Sequence, residues 1–139
     1  MTRVDFYVVA DSAKQSRLSV AARLVDKAYP RGHRIYIHCD SEQQARDLDT
    51  LLWTYRRDSF LPHATADADR DAPILIDWTG DPGDHNDVMI NLQLTAPSCF
   101  SRFNRVAEVV TQDPEFLPAL RDAWRFYQDR GYPLHKHDL

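Results

Sequence analysis

Glycine is scarce in this sequence, which contains 4 glycines in 139 residues. Loops that cradle the phosphates of a nucleotide need glycine, because several backbone N–H groups must approach the anion closely. The first expected strand is instead followed by Asp11-Ser12-Ala13-Lys14, and no glycine has the spacing of a dinucleotide-binding or triphosphate-binding loop. The sequence therefore predicts no nucleotide-binding loop and no bound cofactor.

Cysteine and long hydrophobic runs are also rare. Cys39 and Cys99 are far apart and fit no metal-binding spacing, so we expect both to be reduced thiols in the core. No run approaches the length of a membrane span, and no apolar stretch near the first residue is typical of a signal peptide. These observations predict a cytoplasmic protein.

Positive charge is not in excess either. Lys and Arg together number 17 and Asp and Glu 21, which gives a formal net charge of −4. Non-specific binding of duplex DNA depends on an excess of cationic side chains. We therefore expect any role in nucleic-acid metabolism to act through other proteins, with indirect nucleic acid association and no membrane contact.

Short apolar runs alternate with amphipathic segments, which is typical of an α/β fold. The sequence predicts strands over 4–10, 34–39, 74–78 and 88–94, and helices over 18–29, from Ser41 onward, over about 100–111 and over about 115–130, where Gly131 caps the last helix. Residues 64–72 lack periodicity and are predicted to form a mobile loop. Because strand–helix–strand units form parallel crossovers, we expect a single domain over 1–139 that is a three-layer α/β sandwich. Its sheet should be mainly parallel and Rossmann-like, without a nucleotide-binding loop.

The stretch from Ser41 to His63 is the most informative part of the chain. Ser41 and Gln44 predict a capping box at the start of a helix, since each side chain can bond a free backbone N–H there. The apolar face of that helix consists of Ala45, Leu48 and Leu52. Large apolar side chains beyond that face are Leu51, Trp53, Tyr55, Phe60, Leu61 and Pro62. Such groups either pack beneath a loop or form an exposed anchor for a partner.

The closing helix combines an apolar stripe with a pair of arginines. The stripe consists of Leu117, Leu120, Trp124 and Tyr127. Arg121 and Arg125 lie one turn apart beside it. Taken alone, the pair predicts a solvated charged face on which Asp122 and Asp129 are partners.

Several segments together resemble one known family. They are L-D-x-L-L-W followed after six residues by F-L-P-H, the opening V-D-F-Y, the run H-R-I-Y-I-H-C-D, the run D-V-M-I-N-L, and the closing R-G-Y. In this order and spacing they resemble the chi subunit of bacterial DNA polymerase III holoenzyme. The resemblance implies a non-catalytic accessory subunit in DNA replication. It implies a heterodimer with the psi subunit of the clamp loader and binding of the acidic C-terminal tail of single-stranded DNA-binding protein.

The resemblance also assigns residues to two partner sites. The psi site would consist of Trp53, Phe60, Leu61 and Pro62. The site for the acidic tail would consist of Val110, Arg121, Trp124 and Arg125, because guanidinium groups bond carboxylates bidentately. Val110 and Trp124 would form the slot for the terminal phenylalanine. The family has a further basic residue where this chain has Leu117, which leaves the basic cluster thinner unless Arg130 or Lys136 contributes.

An alternative from another class remains open. Asp11, Asp40 and Asp77 lie at the ends of three predicted strands, so they could meet at one sheet edge and hold a divalent ion in a small metal-dependent α/β hydrolase or regulatory domain. Aspartates in such positions also cap helices and turns. The two interpretations predict different hydrogen-bond partners for these carboxylates.

Overall fold

Ten helices and strands make up the computed structural model of the protein, which describes residues 1–13, 15–55 and 60–139. They are β1 (Arg3–Val8), α1 (Gln15–Ala28), β2 (Ile35–His38), α2 (Glu42–Thr54), β3 (His63–Thr65), β4 (Ile74–Asp77), β5 (Val88–Asn91), β6 (Arg105–Val110), α3 (Leu117–Asp129) and β7 (Leu134–Asp138). Short 3-10 turns cover Tyr29–Arg31 and Phe100–Arg102. Lys14 and the predicted turn over 56–59 lie outside the described residues.

The seven strands form one sheet in the order β3-β4-β2-β5-β6-β1-β7. Every strand pair among the described residues is parallel. Helices α1 and α2 pack on one face of this sheet, whereas α3 and the Phe100–Arg102 turn pack on the other. The predicted three-layer α/β sandwich with a Rossmann-like parallel sheet is therefore confirmed.

The central strand β2 shows how the sequence separates the two layers. Ile35 and Ile37 are fully buried among the residues of α1 and α2, while Tyr36 is fully buried on the α3 side. Successive side chains of a strand point to opposite faces, so a strand covered on both sides needs large buried groups at every position. The alternation in the sequence thus fixes which residues support each helical layer.

Helix α2 begins as its capping residues predict. The backbone N–H of Gln44 donates to Ser41 Oγ at 3.1 Å, and the side-chain oxygen of Gln44 accepts from the backbone N–H of Asp40 at 2.7 Å. The reciprocal bond therefore reaches one residue further back than the usual capping box. The predicted apolar face is confirmed, because Ala45, Leu48 and Leu52 are buried beneath the helix.

The predicted helix over 100–111 is wrong. A single 3-10 turn is followed by β6, which lies between β5 and β1 in the sheet. Val106 and Val109 are fully buried on opposite sides of the sheet, and Glu108 is buried between them. β-branched residues favour strands, and an interior strand is apolar on both faces, so the spacing imitates a helical stripe.

Both edges of the sheet contain strands that the sequence analysis missed. The predicted loop over 64–72 is wrong in its first two residues, because β3 (His63–Thr65) pairs with β4 there. At the other edge, β7 pairs with β1 and carries an unbroken run of polar residues from His135 to Asp138. Short edge strands have one exposed side, so their sequences lack the apolar character of interior strands. Gly131 has a positive φ of 77° after α3, as predicted for a helix cap.

Two further expectations concern the interior and the membrane. Cys39 and Cys99 are free, buried thiols, and burial raises the pKa of both above the ordinary value. Within the described ranges, no helix has the length and apolarity that a bilayer crossing demands.

Candidate interaction surfaces

Two aromatic side chains, one in the last turn of α2 and one shortly before β3, are largely exposed to solvent. Trp53 is 62% exposed and Phe60 is 73% exposed. The other large hydrophobic side chains exposed among the described residues are Met1 and Leu139, at the ends of the chain. We call Trp53 and Phe60 the aromatic surface. Exposed aromatic groups of this size are typical anchors in protein–protein interfaces.

The segment beneath the aromatic surface is fixed to the core. Leu61 is only 4% exposed and packs among the residues of α2 and the sheet. Pro62 is half-buried, and its carbonyl accepts a hydrogen bond of 3.3 Å from the backbone N–H of Ile74 in β4. The sequence groups Leu61 with the exposed residues, but the structure places it as the support on which Phe60 is mounted.

His63 holds the Trp53 ring from one side. Its ring lies 4.6 Å from the indole between centroids, at an interplanar angle of 58°. Its Nδ1 donates to the carbonyl oxygen of Leu61 at 2.5 Å, and its Nε2 lies 3.3 Å from Asp49 Oδ1 without hydrogen-bond geometry. These contacts join Leu61 and His63 to α2. The Trp53 ring is consequently held in place on the folded protein.

The predicted arginine pair lies on the exposed side of α3. Arg121 and Arg125 are both exposed. Arg125 Nη1 is 3.7 Å from Asp122 Oδ1, and both of these side chains are more than 70% exposed. No described residue forms an ion pair with Arg121. We call Arg121 and Arg125 the arginine surface; its cations are accessible to a carboxylate from outside.

An apolar shelf lies beside the arginine surface. Trp124 is half-buried and packs on Phe6 of β1, with ring centroids 4.8 Å apart. Val110, the last residue of β6, is half-buried in the same cluster. The structure therefore brings Val110 and Trp124 into one apolar cluster, with Arg121 and Arg125 on the outer side of the same helix.

Arg130 and Lys136, the two residues considered as a third cation, lie in different surroundings. The Arg130 guanidinium lies 3.8 Å from the centroid of the Phe126 ring. Phe126 in turn lines a cavity together with Leu94 and Ala119. Lys136 is the register partner of Phe6 across β1 and β7. Register neighbours on parallel strands share a face of the sheet, so Lys136 lies on the face that carries Trp124. Its ammonium is 3.6 Å from Asp138, at an exposed position.

The three aspartates of the alternative interpretation have local structural partners. Asp77 accepts from Tyr36 OH at 2.7 Å and from Thr79, which closes a turn. Asp11 accepts from Ser16 Oγ at 2.6 Å and from the backbone of Ala13. Asp40 accepts from Ser41 at the start of α2. Across the described part of the chain, no three His, Cys, Asp or Glu side chains are grouped closely enough to hold a metal ion.

A buried glutamate that the sequence analysis missed connects β6 with α3. Glu108 accepts from Tyr127 OH at 2.7 Å and from Asn91 Nδ2 at 3.0 and 3.1 Å. Burial raises the pKa of Glu108 to about 7, although the bonds from Tyr127 and Asn91 oppose that rise. A polar residue within the apolar run of β6 was the available signal, since buried carboxylates require specific partners.

Arg17 lies close to Glu108, at the carboxyl ends of the strands. It is only 2% exposed, its guanidinium lies 5.5 Å from the centre of the Phe116 ring, and its Nη2 is 3.5 Å from the carbonyl oxygen of Gln93. Burial lowers the pKa of Arg17, and the charge of Glu108 opposes that shift. Sheets of this type hold ligands at the carboxyl ends of their strands. Here the side chains of Arg17, Asn91 and Glu108 occupy that position.

These features define an α/β protein in which buried side chains occupy the space at the carboxyl ends of the strands. Its accessible aromatic and arginine groups lie on two separate surfaces. The fold is similar to part of T4 UvsW, with a TM-score of 0.68 at 6% identity, over 99% of this chain and 41% of that chain. At this identity the likeness concerns the fold alone.

Sequence comparison supplies the family. The profile described as DNA polymerase III chi subunit, HolC, matches residues 1–135. A curated relative, DNA polymerase III subunit chi of Pseudomonas aeruginosa, is 45% identical over 139 residues, covering 100% of this chain and 98% of its own. The same subunit of Escherichia coli is 27% identical, over 97% of each chain. The chain therefore belongs to the DNA polymerase III chi subunit family. It is an accessory subunit of this replicative polymerase, not its catalytic subunit, and its partners belong to the holoenzyme.

Proposed function

We propose that this chi-family subunit connects the clamp loader, through the psi subunit, to the acidic C-terminal tail of single-stranded DNA-binding protein. The observation that carries the proposal is the exposure of Trp53 and Phe60 on a fixed segment. Away from the ends of the described chain, no other large hydrophobic side chain is exposed. A replication subunit of this kind works in the cytoplasm, as a single domain over 1–139.

The aromatic surface is the proposed psi site. Trp53 and Phe60 would bury their rings against psi, and Pro62 would extend the contact at its half-buried edge. Leu61 would act from beneath, since its side chain is already in the core. Preorganisation favours binding because little side-chain entropy is lost when the partner docks. The contacts of His63 with Trp53 and Leu61 support that part of the proposal.

The arginine surface is the proposed site for the acidic tail. Arg121 and Arg125 would bond the tail carboxylates, and Val110 with Trp124 would receive the terminal aromatic ring. Lys136 is the better replacement for the basic residue missing at Leu117, because it shares a sheet face with Phe6 and Trp124. Arg130 is instead held on Phe126.

A crossed binding experiment tests both assignments. Titration calorimetry should show that Trp53→Ala/Phe60→Ala loses psi binding and keeps the affinity for a peptide ending in Asp-Asp-Phe. Arg121→Ala/Arg125→Ala should lose the peptide and keep psi. The matched control is Arg23→Ala/Arg34→Ala, which removes two exposed guanidinium groups elsewhere and should change neither. If either pair loses both partners while its melting temperature is unchanged, the assignment of separate surfaces is wrong.

A further inference from the structure

A cavity of about 130 Å³ lies between the end of α1 and the sheet, on the face opposite α3. Its floor is apolar and consists of Leu24, Ala28, Val88, Ile90 and Ala107. Ala28 on the helix and Ala107 on β6 are the small residues of this set. Because both residues are alanines, the cavity between them stays open, whereas larger side chains at these positions would fill it.

The rim of this cavity is basic. Lys27, Arg31, His33 and Arg105 line it together with Tyr7. Lys27 and Arg31 are exposed, and neither forms an ion pair with any described residue. His33 Nδ1 is 3.0 Å from Asp87 Oδ2. Two cations that pair with no described residue therefore lie at the mouth of an apolar cavity, in a chain whose net charge is −4.

The nearest buried carboxylate does not neutralise this rim. Asp5 is bonded by Arg105 Nε at 2.8 Å, by Arg3 at 3.1 Å and by His137 Nε2 at 2.7 Å. Burial would raise the pKa of Asp5, but these hydrogen bonds outweigh burial and leave the pKa below its ordinary value. One negative charge thus faces two arginines, and a positive excess remains around Tyr7.

We propose that this cavity binds a carboxylate that carries one aromatic ring or branched apolar chain, from a peptide C-terminus or from a small organic acid. The apolar part would occupy the floor, and the carboxylate would lie between Lys27 and Arg31. This site is separate from the two surfaces assigned above, and its ligand need not be a replication protein.

Size and chemistry select this class of ligand. An apolar cavity of roughly 150 Å³ holds one benzene ring, so a cavity of this volume suits one ring and not a nucleoside. The floor residues offer no side-chain donor or acceptor for the edge of a base. The C-terminal end of a helix disfavours anions because the negative end of its dipole lies there. Lys27 and Arg31, which lie at this end of α1, must therefore supply the attraction.

Titration of the ¹⁵N-labelled protein with N-acetylphenylalanine tests the proposal. We expect the amide resonances of Ala28 and Ala107 to shift, and N-acetylphenylalaninamide, which lacks the charge, to bind at least several-fold more weakly. Lys27→Gln/Arg31→Gln should weaken binding of the acid by roughly tenfold, because each exposed ion pair is worth a modest amount. Arg23→Gln is the matched control on the same helix and should leave binding unchanged.

Further variants keep the result unambiguous. Ala28→Leu should fill the cavity from the half-buried helix side and abolish the shifts, and a melting curve will show whether that variant is folded. Arg121→Ala/Arg125→Ala should bind the acid as wild type does, which separates this site from the arginine surface. A tripeptide ending in Phe that binds more tightly than the capped amino acid assigns a protein C-terminus; equal binding assigns a small acid. The proposal is overturned if the acid shifts only α3 resonances, if the amide binds equally well, or if uridine monophosphate binds at Ala28 and Ala107 more tightly than the acid.

Discussion

Replacing Phe60 by alanine should separate binding from folding in this protein. Phe60 is 73% exposed, yet the residue after it is 4% exposed and embedded in the core. The substitution therefore removes an anchor without opening a cavity. We expect psi binding to fall strongly and the free energy of unfolding to change little.

The magnitude follows from the exposed area. A phenylalanine side chain presents roughly 200 Å², of which 73% is still available here, so complete burial by psi would remove about 150 Å² from water. At about 25 cal/mol per Å² this corresponds to about 3.7 kcal/mol, and central aromatic anchors commonly cost about 2 kcal/mol or more when truncated. The dissociation constant should rise by roughly 30- to 500-fold.

Calorimetry with purified psi measures the binding loss, and urea unfolding measures stability on the same samples. Surface substitutions usually change the free energy of unfolding by less than about 0.5 kcal/mol. Leu48→Ala is the contrasting control: Leu48 is fully buried beneath α2, so its truncation should cost about 2–5 kcal/mol of stability. If Phe60→Ala unfolds as easily as Leu48→Ala, or binds psi as wild type does, the anchor interpretation is refuted.

Three further predictions concern the rest of the molecule. Arg121→Ala/Arg125→Ala should weaken binding of a peptide ending in Asp-Asp-Phe by roughly tenfold or more, and wild-type affinity should fall with added salt because the contact is exposed; salt-insensitive binding would place the tail elsewhere. Glu108→Gln should alter the pH dependence of stability: the folded-state pKa is raised from 4.5 to about 7, so wild type loses stability as pH rises across that window, by at most about 3 kcal/mol from this group. The difference between wild-type and Glu108→Gln unfolding free energies at pH 5 and pH 8 isolates this contribution from His38 and His85, whose lowered pKa values act in the opposite direction; an unchanged difference would contradict it. NAD and ATP should leave the melting temperature unchanged, since Arg17, Asn91 and Glu108 fill the strand ends; a shift of several degrees would show a nucleotide site.

The sequence predicts best where a local signal and a long-range need agree. Ser41 and Gln44 mark the start of α2 because they bond backbone groups within a few residues. The interior strand β2 is readable because its alternating residues are all large. At β6 the local signal and the long-range pairing disagree. The valines at 106, 109 and 110 have a helical spacing, but pairing with β1 and β5 makes the segment a strand.

The same limit applies to the surfaces. The surplus of Trp53 and Phe60 over the apolar face of α2 left burial beneath a loop and exposure as an anchor both open, and the structure shows both side chains exposed. Leu61 has the same apolar character but points into the core, which depends on the path of the chain from α2 into β3. Spacing in the sequence could not distinguish Lys136 from Arg130, since only the pairing of β7 with β1 shows that Lys136 is the register partner of Phe6.

The strand order determines how far apart the two proposed partners bind. Trp53 touches His63 in β3, at one edge of the sheet, whereas Trp124 touches Phe6 in β1, next to the opposite edge. Strands lie about 4.8 Å apart, so the five intervals from β3 to β1 span about 24 Å of hydrogen-bonded sheet. Two ligands so far apart on a stiff body neither collide nor alter each other's sites, and their binding free energies should add in a ternary complex. A gain in effective concentration would follow only for two partners that are also linked to each other outside this subunit.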